Sequence, residues 1–240
     1  MKPILLFLAL LVLTCSSCRW MSYKRIKGNG NITTQDRKIN FAEKIKLAGS
    51  FDVEITQGPA TSVKVEADEN ILPFIITSNE DGFLLIKTKD HVSLSTDHNT
   101  KVYITTNNLE QIQLAGSGNI TGKNKFTGSN KLILKIAGSG DMQMEVNSPE
   151  IVAEIAGSGT ITLKGETKDE TIHISGVGNY YADQLKAENA KVKIAGSGNV
   201  KVFAEATLDI SIAGVGSVYY KGAATVKQHV AGSGEVKKIE

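Results

Sequence analysis

Polar residues stand at one repeated position of this sequence, directly after the second glycine of a recurring Ala-Gly-Ser-Gly motif. If the motifs lie above one another in the fold, these side chains form a continuous row of amide, carboxylate and hydroxyl groups. Such a row could bind a glycan or a peptide through hydrogen bonds. Alternatively, the residues are solvated turn residues, with Asn and Asp bonding their own backbone. The predicted binding row is Asn119, Asp141, Thr160, Asn179 and Asn199, and Ser217 and Glu235 hold the same position in the last two motifs.

Two tyrosine pairs lie close to this row and bear on the choice of ligand. Tyr180-Tyr181 and Tyr219-Tyr220 each follow a glycine motif, and we expect them to occupy equivalent places. Aromatic faces on the surface would favour a sugar ligand, because they offer a flat apolar area beside polar groups. The sequence leaves open whether the two pairs face outward together.

Catalytic and metal-binding chemistry have little support in the residue pattern. Enzymes that cleave polysaccharides on a β-helix need convergent carboxylates, but Asp141, Glu154, Asp209 and Glu235 recur at no common repeat position. We therefore predict no enzyme, no metal site and no cofactor, and keep a polysaccharide-active enzyme on the same scaffold as the alternative. The histidines are scattered without a zinc-ligand spacing, at positions His91, His98, His173 and His229.

The first residues predict export. Lys2 precedes a short apolar run, residues 4–13, which is followed by Thr14-Cys15-Ser16-Ser17-Cys18, and this order is typical of a secretory signal peptide. Cys18 after the small Ser17 resembles a bacterial lipobox, which implies lipidation of Cys18 and removal of residues 1–17. An ordinary signal peptide cleaved near the same place is the alternative. We interpret residues 18–30 as a short tether and predict an outer-membrane lipoprotein, on the periplasmic face or the cell surface.

Self-similarity is the dominant feature of the remaining chain. Seven copies of the motif have their first glycines 22, 19, 19, 20, 18 and 18 residues apart. Apolar residues alternate with polar ones around each copy, which indicates half-buried strands rather than helices. A unit of this size cannot bury its own apolar face but can do so against its neighbours. We predict a right-handed, single-chain parallel β-helix (a β-solenoid) over residues 111–240.

Residues 31–110 are less regular and contain one degenerate motif, Ala48-Gly49-Ser50-Phe51. Turn signals separate five predicted strands, and residues 68–73 are expected to form a helical turn. We interpret this N-terminal β region as a modified or capping part of the same solenoid, joined to it without a flexible linker. The predicted strands are 44–48, 51–57, 62–67, 83–88 and 101–106.

The charge balance argues against nucleic acid as a partner. Lys and Arg number 27 and Asp and Glu number 25, and the charges are interspersed along the chain, as on ordinary solvated strand faces. Phosphate binding requires a concentrated basic surface. The oligomeric state is left open by the sequence.

Phe41 to Asp68, together with the later Ala-Gly-Ser-Gly copies, resembles the family called putative auto-transporter adhesin, head GIN domain. The resemblance covers roughly residues 35–235. It implies a β-helical protein exported by Bacteroidetes-type bacteria, often with a lipoprotein signal, and a non-enzymatic adhesin or ligand-binding function. It implies no catalytic residues. This sequence contains no outer-membrane translocator barrel, so it does not resemble a self-sufficient auto-transporter.

Replacement of Cys18 tests the predicted anchor. Cys18→Ala should move the protein from the membrane fraction to the soluble fraction, because the acceptor of the lipid is lost. Labelled fatty acid should enter the wild type and not the variant, with Cys15→Ala as the control that keeps both the label and the membrane location. The lipobox interpretation is wrong if Cys18→Ala stays membrane-bound and the wild type takes up no label.

Overall fold

The computed structural model describes residues 23–240, so the predicted signal peptide and Cys18 lie outside the described residues. The described part is all-β, with one short 3-10 helix at Leu72–Phe74. Its strands are β1 (Lys24–Lys27), β2 (Ile32–Arg37), β3 (Lys44–Gly49), β4 (Asp52–Gln57), β5 (Ser62–Asp68), β6 (Ile75–Glu80), β7 (Phe83–Thr88), β8 (Val92–Ser95), β9 (Lys101–Thr106), β10 (Gln111–Gly116), β11 (Asn119–Phe126), β12 (Lys131–Gly138), β13 (Asp141–Asn147), β14 (Glu150–Gly157), β15 (Thr160–Gly176), β16 (Asn179–Gly196), β17 (Asn199–Gly214), β18 (Ser217–Lys221), β19 (Thr225–Gly232) and β20 (Val236–Lys238).

These strands stack in parallel and form the predicted β-solenoid, with about seven turns. Each coil has one strand segment before its glycine motif and one after it. The segments before the motif form what we call the upstream face: β3, β10, β12, β14, the later halves of β15, β16 and β17, and β19. The segments after the motif form the downstream face: β4, β11, β13, the earlier halves of β15, β16 and β17, β18 and β20.

Backbone hydrogen bonds continue the stack through the glycine corner between the two faces. The amide of Ser158 donates to the carbonyl oxygen of Gly138 one coil earlier, at 2.9 Å, and the same bond recurs from coil to coil. The first glycine of the motif has positive φ, +133° at Gly157 and +139° at Gly196. A Cβ on Gly157 would collide with the carbonyl oxygen of Gly138, and one on Gly196 with that of Gly176. The corner therefore requires glycine for its conformation and for its space.

Alternate residues of each strand point inward and form stacked apolar rows. Met142 and Met144 belong to this core, as the alternation predicts, and both are buried. Full burial of such a side chain stabilises the fold by about 1.5–3 kcal/mol, so the coils support one another along the whole stack. One inward row on the upstream face consists of Leu47, Leu114, Ile136, Ile155, Ile174, Ile194 and Ile212.

The N-terminal β region starts the stack. Strand β10 pairs with β3, and β11 pairs with β4, although most of this region separates them in sequence. On the other side of this first coil, β7 pairs with β3 and β9 with β4. Antiparallel pairing of β6 with β7, and of β5 with β9 and β2, then ends the parallel stack. The five predicted strands are present, and the predicted helical turn is the 3-10 helix.

Part of the segment predicted as a tether is folded onto this region. Strand β1 pairs in parallel with β8, and the Gly30 amide donates to Oδ1 of Asp68 at 2.6 Å. Asp68 is almost fully buried, and hydrogen bonds from the Thr96 hydroxyl and the Gly30 amide lower its pKa below the ordinary value. A charged carboxylate held in this way fixes Gly30 against the N-terminal β region, just after strand β1.

One buried polar pair interrupts the apolar core. The Tyr180 hydroxyl donates to Oε1 of Glu170 at 2.5 Å, and Oε2 of Glu170 has no partner within the described residues. Glu170 lies between Ile151 and Ala190 in an inward row. Burial raises the pKa of Glu170 to about 8, and burial beside Glu170 raises the pKa of Tyr180 as well. Glu170 is therefore a neutral acid inside the solenoid at pH 7.

The corner geometry makes a prediction about stability. Gly157→Val should lower the free energy of unfolding by about 3 kcal/mol or more, since strain at positive φ alone is worth on the order of 1–3 kcal/mol and the collision adds to it. Ser158→Val is the matched control, because Val177 and Val215 already occupy that position and are exposed. Urea unfolding of the two variants measures the difference. Equal losses would show that the motifs are not equivalent stacked corners.

Glu170 makes a prediction about pH. Its pKa is raised in the folded protein, so the unfolded chain releases this proton first as the pH rises. The contribution of Glu170 to stability is then greatest below the ordinary carboxyl pKa, falls as the pH rises towards about 8, and is constant above that. Glu170→Gln should remove this dependence, and its stability relative to the wild type should increase between pH 5 and pH 8. Urea unfolding across this range, with the exposed Glu205→Gln as control, measures it; a pH-independent difference would contradict the prediction.

Candidate functional site

The predicted binding row is a line of direct register partners on the downstream face. Asn119 pairs with Asp141, Asp141 with Thr160, Thr160 with Asn179, and Asn179 with Asn199. The row is longer than predicted, because Asp52 precedes it and Ser217 continues it. Asp52 stands directly after the degenerate motif Ala48-Gly49-Ser50-Phe51, and this position was the signal that could have identified it.

Hydrogen bonds connect neighbouring members of the row. The Asn119 amide donates to Oδ1 of Asp52 at 3.0 Å, and Oδ1 of Asp141 accepts from the Thr160 backbone amide at 2.9 Å. Oδ1 of Asn179 accepts from the backbone and side-chain amides of Asn199, at 3.3 and 3.2 Å. These contacts join three separate pairs of neighbouring row members and hold the accepting side chains of those pairs in place.

A hollow of about 270 Å³ lies at the N-terminal end of the row. Asp52 and Asn119 line it together with Glu54, Lys101 and Thr121. Carboxylates, an amide and an ammonium group there supply both hydrogen-bond acceptors and donors. The row therefore offers one recessed end and a flat, exposed remainder.

A second outward row runs beside the first and carries the aromatic residues. Tyr181 and Tyr219 lie in this row with Lys201 between them, and the ammonium group of Lys201 is 5.5 Å from the centre of the Tyr181 ring. The expected equivalence of the two tyrosine pairs is wrong by one residue. Tyr180 shares an inward row with Val218 and is buried, because the two motifs place their tyrosines one position apart.

The structure does not bring together the carboxylates Asp141, Glu154 and Asp209, although Glu154 is the direct register partner of His173. Asp141 lies on the downstream face, whereas Glu154 and Asp209 point outward from the upstream face on different coils. Among residues 23–240, no group of three or more histidine, cysteine, aspartate or glutamate side chains could hold a metal ion. The same part of the chain contains no helix with the length and hydrophobicity required to cross a bilayer.

Solved structures of bacterial proteins have this fold. A crystal structure of a putative adhesin from Bacteroides fragilis is similar with a TM-score of 0.83 and 26% identity, covering 89% of this chain and 100% of that one. A crystal structure of a putative lipid binding protein from Parabacteroides distasonis is similar with a TM-score of 0.72 and 27% identity, covering 90% of this chain and 100% of that one. A putative adhesin from the same organism is similar with a TM-score of 0.69 and 24% identity, at the same coverage of both chains. At this identity, the similarity shows only that the two proteins share a fold. No curated protein matches this chain.

The sequence also matches a family over most of its folded part. The matching description is "Putative auto-transporter adhesin, head GIN domain", and the match spans residues 40–224. This range includes the first coil, the whole predicted binding row and six of the seven regular glycine motifs. The chain therefore belongs to the putative auto-transporter adhesin, head GIN domain family.

Proposed function

We propose that this chain is a non-enzymatic, lipid-anchored protein of the cell envelope that binds an extended ligand through its downstream face. The observation that carries the proposal is the continuous row from Asp52 to Ser217, in which the glycine corners fix polar side chains at one-coil intervals. A chain-like ligand lying along the solenoid axis would meet an equivalent position about every 4.8 Å, the spacing of neighbouring strands.

The second outward row supports a glycan in preference to a peptide. Tyr181 provides aromatic area beside the side-chain amide of Asn179, and Tyr219 provides it beside the hydroxyl of Ser217. Sugar rings present hydroxyl groups at their edges and apolar C–H groups on their faces, so they can use both kinds of contact at once. A peptide strand would instead favour an unpaired sheet edge, where its backbone can join the ladder.

Anchoring at Cys18 would place the binding face near the membrane. Strand β1 lies a few residues after Cys18 in sequence, and the hydrogen bonds to Asp68 fix the chain just after this strand. The solenoid would then extend from its N-terminal region, with the row accessible along its length. The outer membrane is the proposed location, and the family description and the name of the similar protein from Bacteroides fragilis support a role in adhesion.

A binding experiment with the purified chain in non-ionic detergent tests the row. We expect the wild type to bind a subset of a neutral glycan array, and Asn179→Ala/Asn199→Ala to weaken that binding about tenfold, as for the loss of two buried hydrogen bonds in a complex. The matched control is Asn189→Ala/Thr207→Ala, because these residues form a similar ladder at the opposite corner, where the Thr207 hydroxyl donates to Asn189 at 2.7 Å.

The array separates the outcomes. A loss confined to the Asn179/Asn199 variant supports the proposal, provided that urea unfolding shows both variants to be equally stable. An equal loss in the Asn189/Thr207 variant, or the absence of any bound glycan together with capture of a peptide ligand by the row, would contradict the glycan proposal. Hydrolysis of a bound glycan by the wild type would contradict the non-enzymatic proposal.

A further inference from the structure

The upstream face carries a groove of about 660 Å³ that the function proposed above does not use. Its floor consists of the small residues that precede the first glycine of each motif: Ala115, Ala137, Ala156 and Ser175. These residues are direct register partners, so the groove runs across the strands and along the solenoid axis. Its shape suits a single polymer chain rather than a compact small molecule.

One wall of the groove is formed by longer polar side chains two residues before the floor. In register order, this wall consists of Lys46, Gln113, Lys135, Glu154 and His173. Nζ of Lys135 lies 2.8 Å from Oε2 of Glu154, and this ion pair partly offsets the charge of Lys135. Lys46 and His173 are exposed, and the row continues beyond the groove to the exposed Lys193.

Positive charge is concentrated on this face. Two outward rows of the upstream face, those that begin with Lys44 and with Lys46, contain six lysines but only two carboxylates, Glu154 and Asp209, whereas a third row holds Lys131, Glu150 and Asp169. Within the described residues, the ion pairs formed by these six lysines are Lys44–Glu110 and Lys135–Glu154. The two corresponding rows of the downstream face carry four carboxylates, Asp52, Glu54, Asp141 and Glu235, and two lysines, Lys201 and Lys237. The six lysines are Lys44, Lys46, Lys135, Lys191, Lys193 and Lys227.

From the groove and the charge together, we infer that the upstream face is a second binding surface, which takes an acidic polysaccharide lying along the solenoid axis. Carboxylate or sulfate groups of the polymer would contact the lysine rows, and its sugar rings would lie on the alanine floor. Charges spaced along a groove select a polymer of opposite charge and accelerate its encounter with the protein. The inference goes beyond the proposed function, since it uses another face and another class of glycan.

Other polyanions fit this surface less well. Single-stranded nucleic acids are bound by stacking their bases mainly on large aromatic side chains. The outward rows of the upstream coils contain no Phe, Tyr or Trp from Lys44 to Ala231. A membrane surface is attracted by lysines but is anchored by aromatic and apolar side chains that enter it. A flat bilayer also could not reach the floor of a groove. An acidic polysaccharide needs neither feature.

Charge-neutral variants of the purified chain in non-ionic detergent test the inference, with alginate as the probe and neutral dextran as the negative control. Lys46→Gln/Lys191→Gln/Lys193→Gln should weaken alginate binding about tenfold at low salt and reduce its salt dependence, because three contacts between a lysine and a carboxylate of the polymer are lost. The matched control is Lys125→Gln/Lys168→Gln/Lys186→Gln, three exposed lysines outside the two upstream rows, which should change alginate binding by less than about twofold.

A second pair of variants tests the groove independently of charge. Ala156→Phe fills the floor and should weaken alginate binding severalfold, whereas Ala231→Phe places the same ring beyond the groove and should not. Asn179→Ala/Asn199→Ala on the downstream face should leave alginate binding unchanged, so that this inference and the proposed function can fail separately.

Four results would overturn the inference. The first is equal loss in the two lysine triple variants, and the second is full alginate binding by Ala156→Phe. The third is tighter binding of a single-stranded oligonucleotide than of alginate with equal charge, which would assign the face to nucleic acid. The fourth is sedimentation with phosphatidylglycerol vesicles in the absence of alginate binding, which would assign it to a lipid surface.

Discussion

The hydrogen bond that passes from coil to coil at the glycine corner determines most of this structure. In each repeat, the amide after the first glycine donates to the carbonyl oxygen of the first glycine one coil earlier, as from Ser197 to Gly176 at 2.8 Å. This bond requires two backbones to approach closely at a positive φ, and only glycine permits both. It sets each coil directly on the previous one, and a slip by one residue would turn every inward side chain outward. The register of the corner therefore decides which residues become core and which become surface.

The same register explains why the core tolerates Glu170. An inward row places this carboxyl between Ile151 and Ala190, and the small side chain of Ala190 leaves room for the larger Tyr180 to reach it from the other face. A charged carboxylate there would have one hydrogen bond and no counter-ion within the described residues, so the neutral form is favoured and the pKa is high.

The sequence predicted the solenoid and the existence of the row, because both follow from the regular spacing of the glycine motifs. It did not predict the pairing of β10 with β3, since irregular insertions between them hide the first coil. It placed Tyr180 and Tyr219 in equivalent positions, although the bonds at the corner align Tyr181 with Tyr219. In a strand, an error of one residue moves a side chain from the buried face to the exposed face, or the reverse. The contact of Tyr180 with Glu170 joins positions on opposite faces of a coil, and no spacing rule for strands reveals such a pair.

The distribution of charge over the surface is a second property that the linear sequence does not reveal. Positive and negative residues alternate along the chain so evenly that the net charge of +2 indicates no polyanion surface. Stacking sorts them, because every residue at a given repeat position reaches the same outward row. Lys191 and Lys193 belong to one strand, yet each adds to a separate row that began with Lys44 and Lys46. A small excess of lysine at one repeat position thus becomes, in a solenoid, a positive electrostatic potential along a whole face. For a solenoid protein, the charge at each repeat position therefore predicts a binding partner better than the overall composition does.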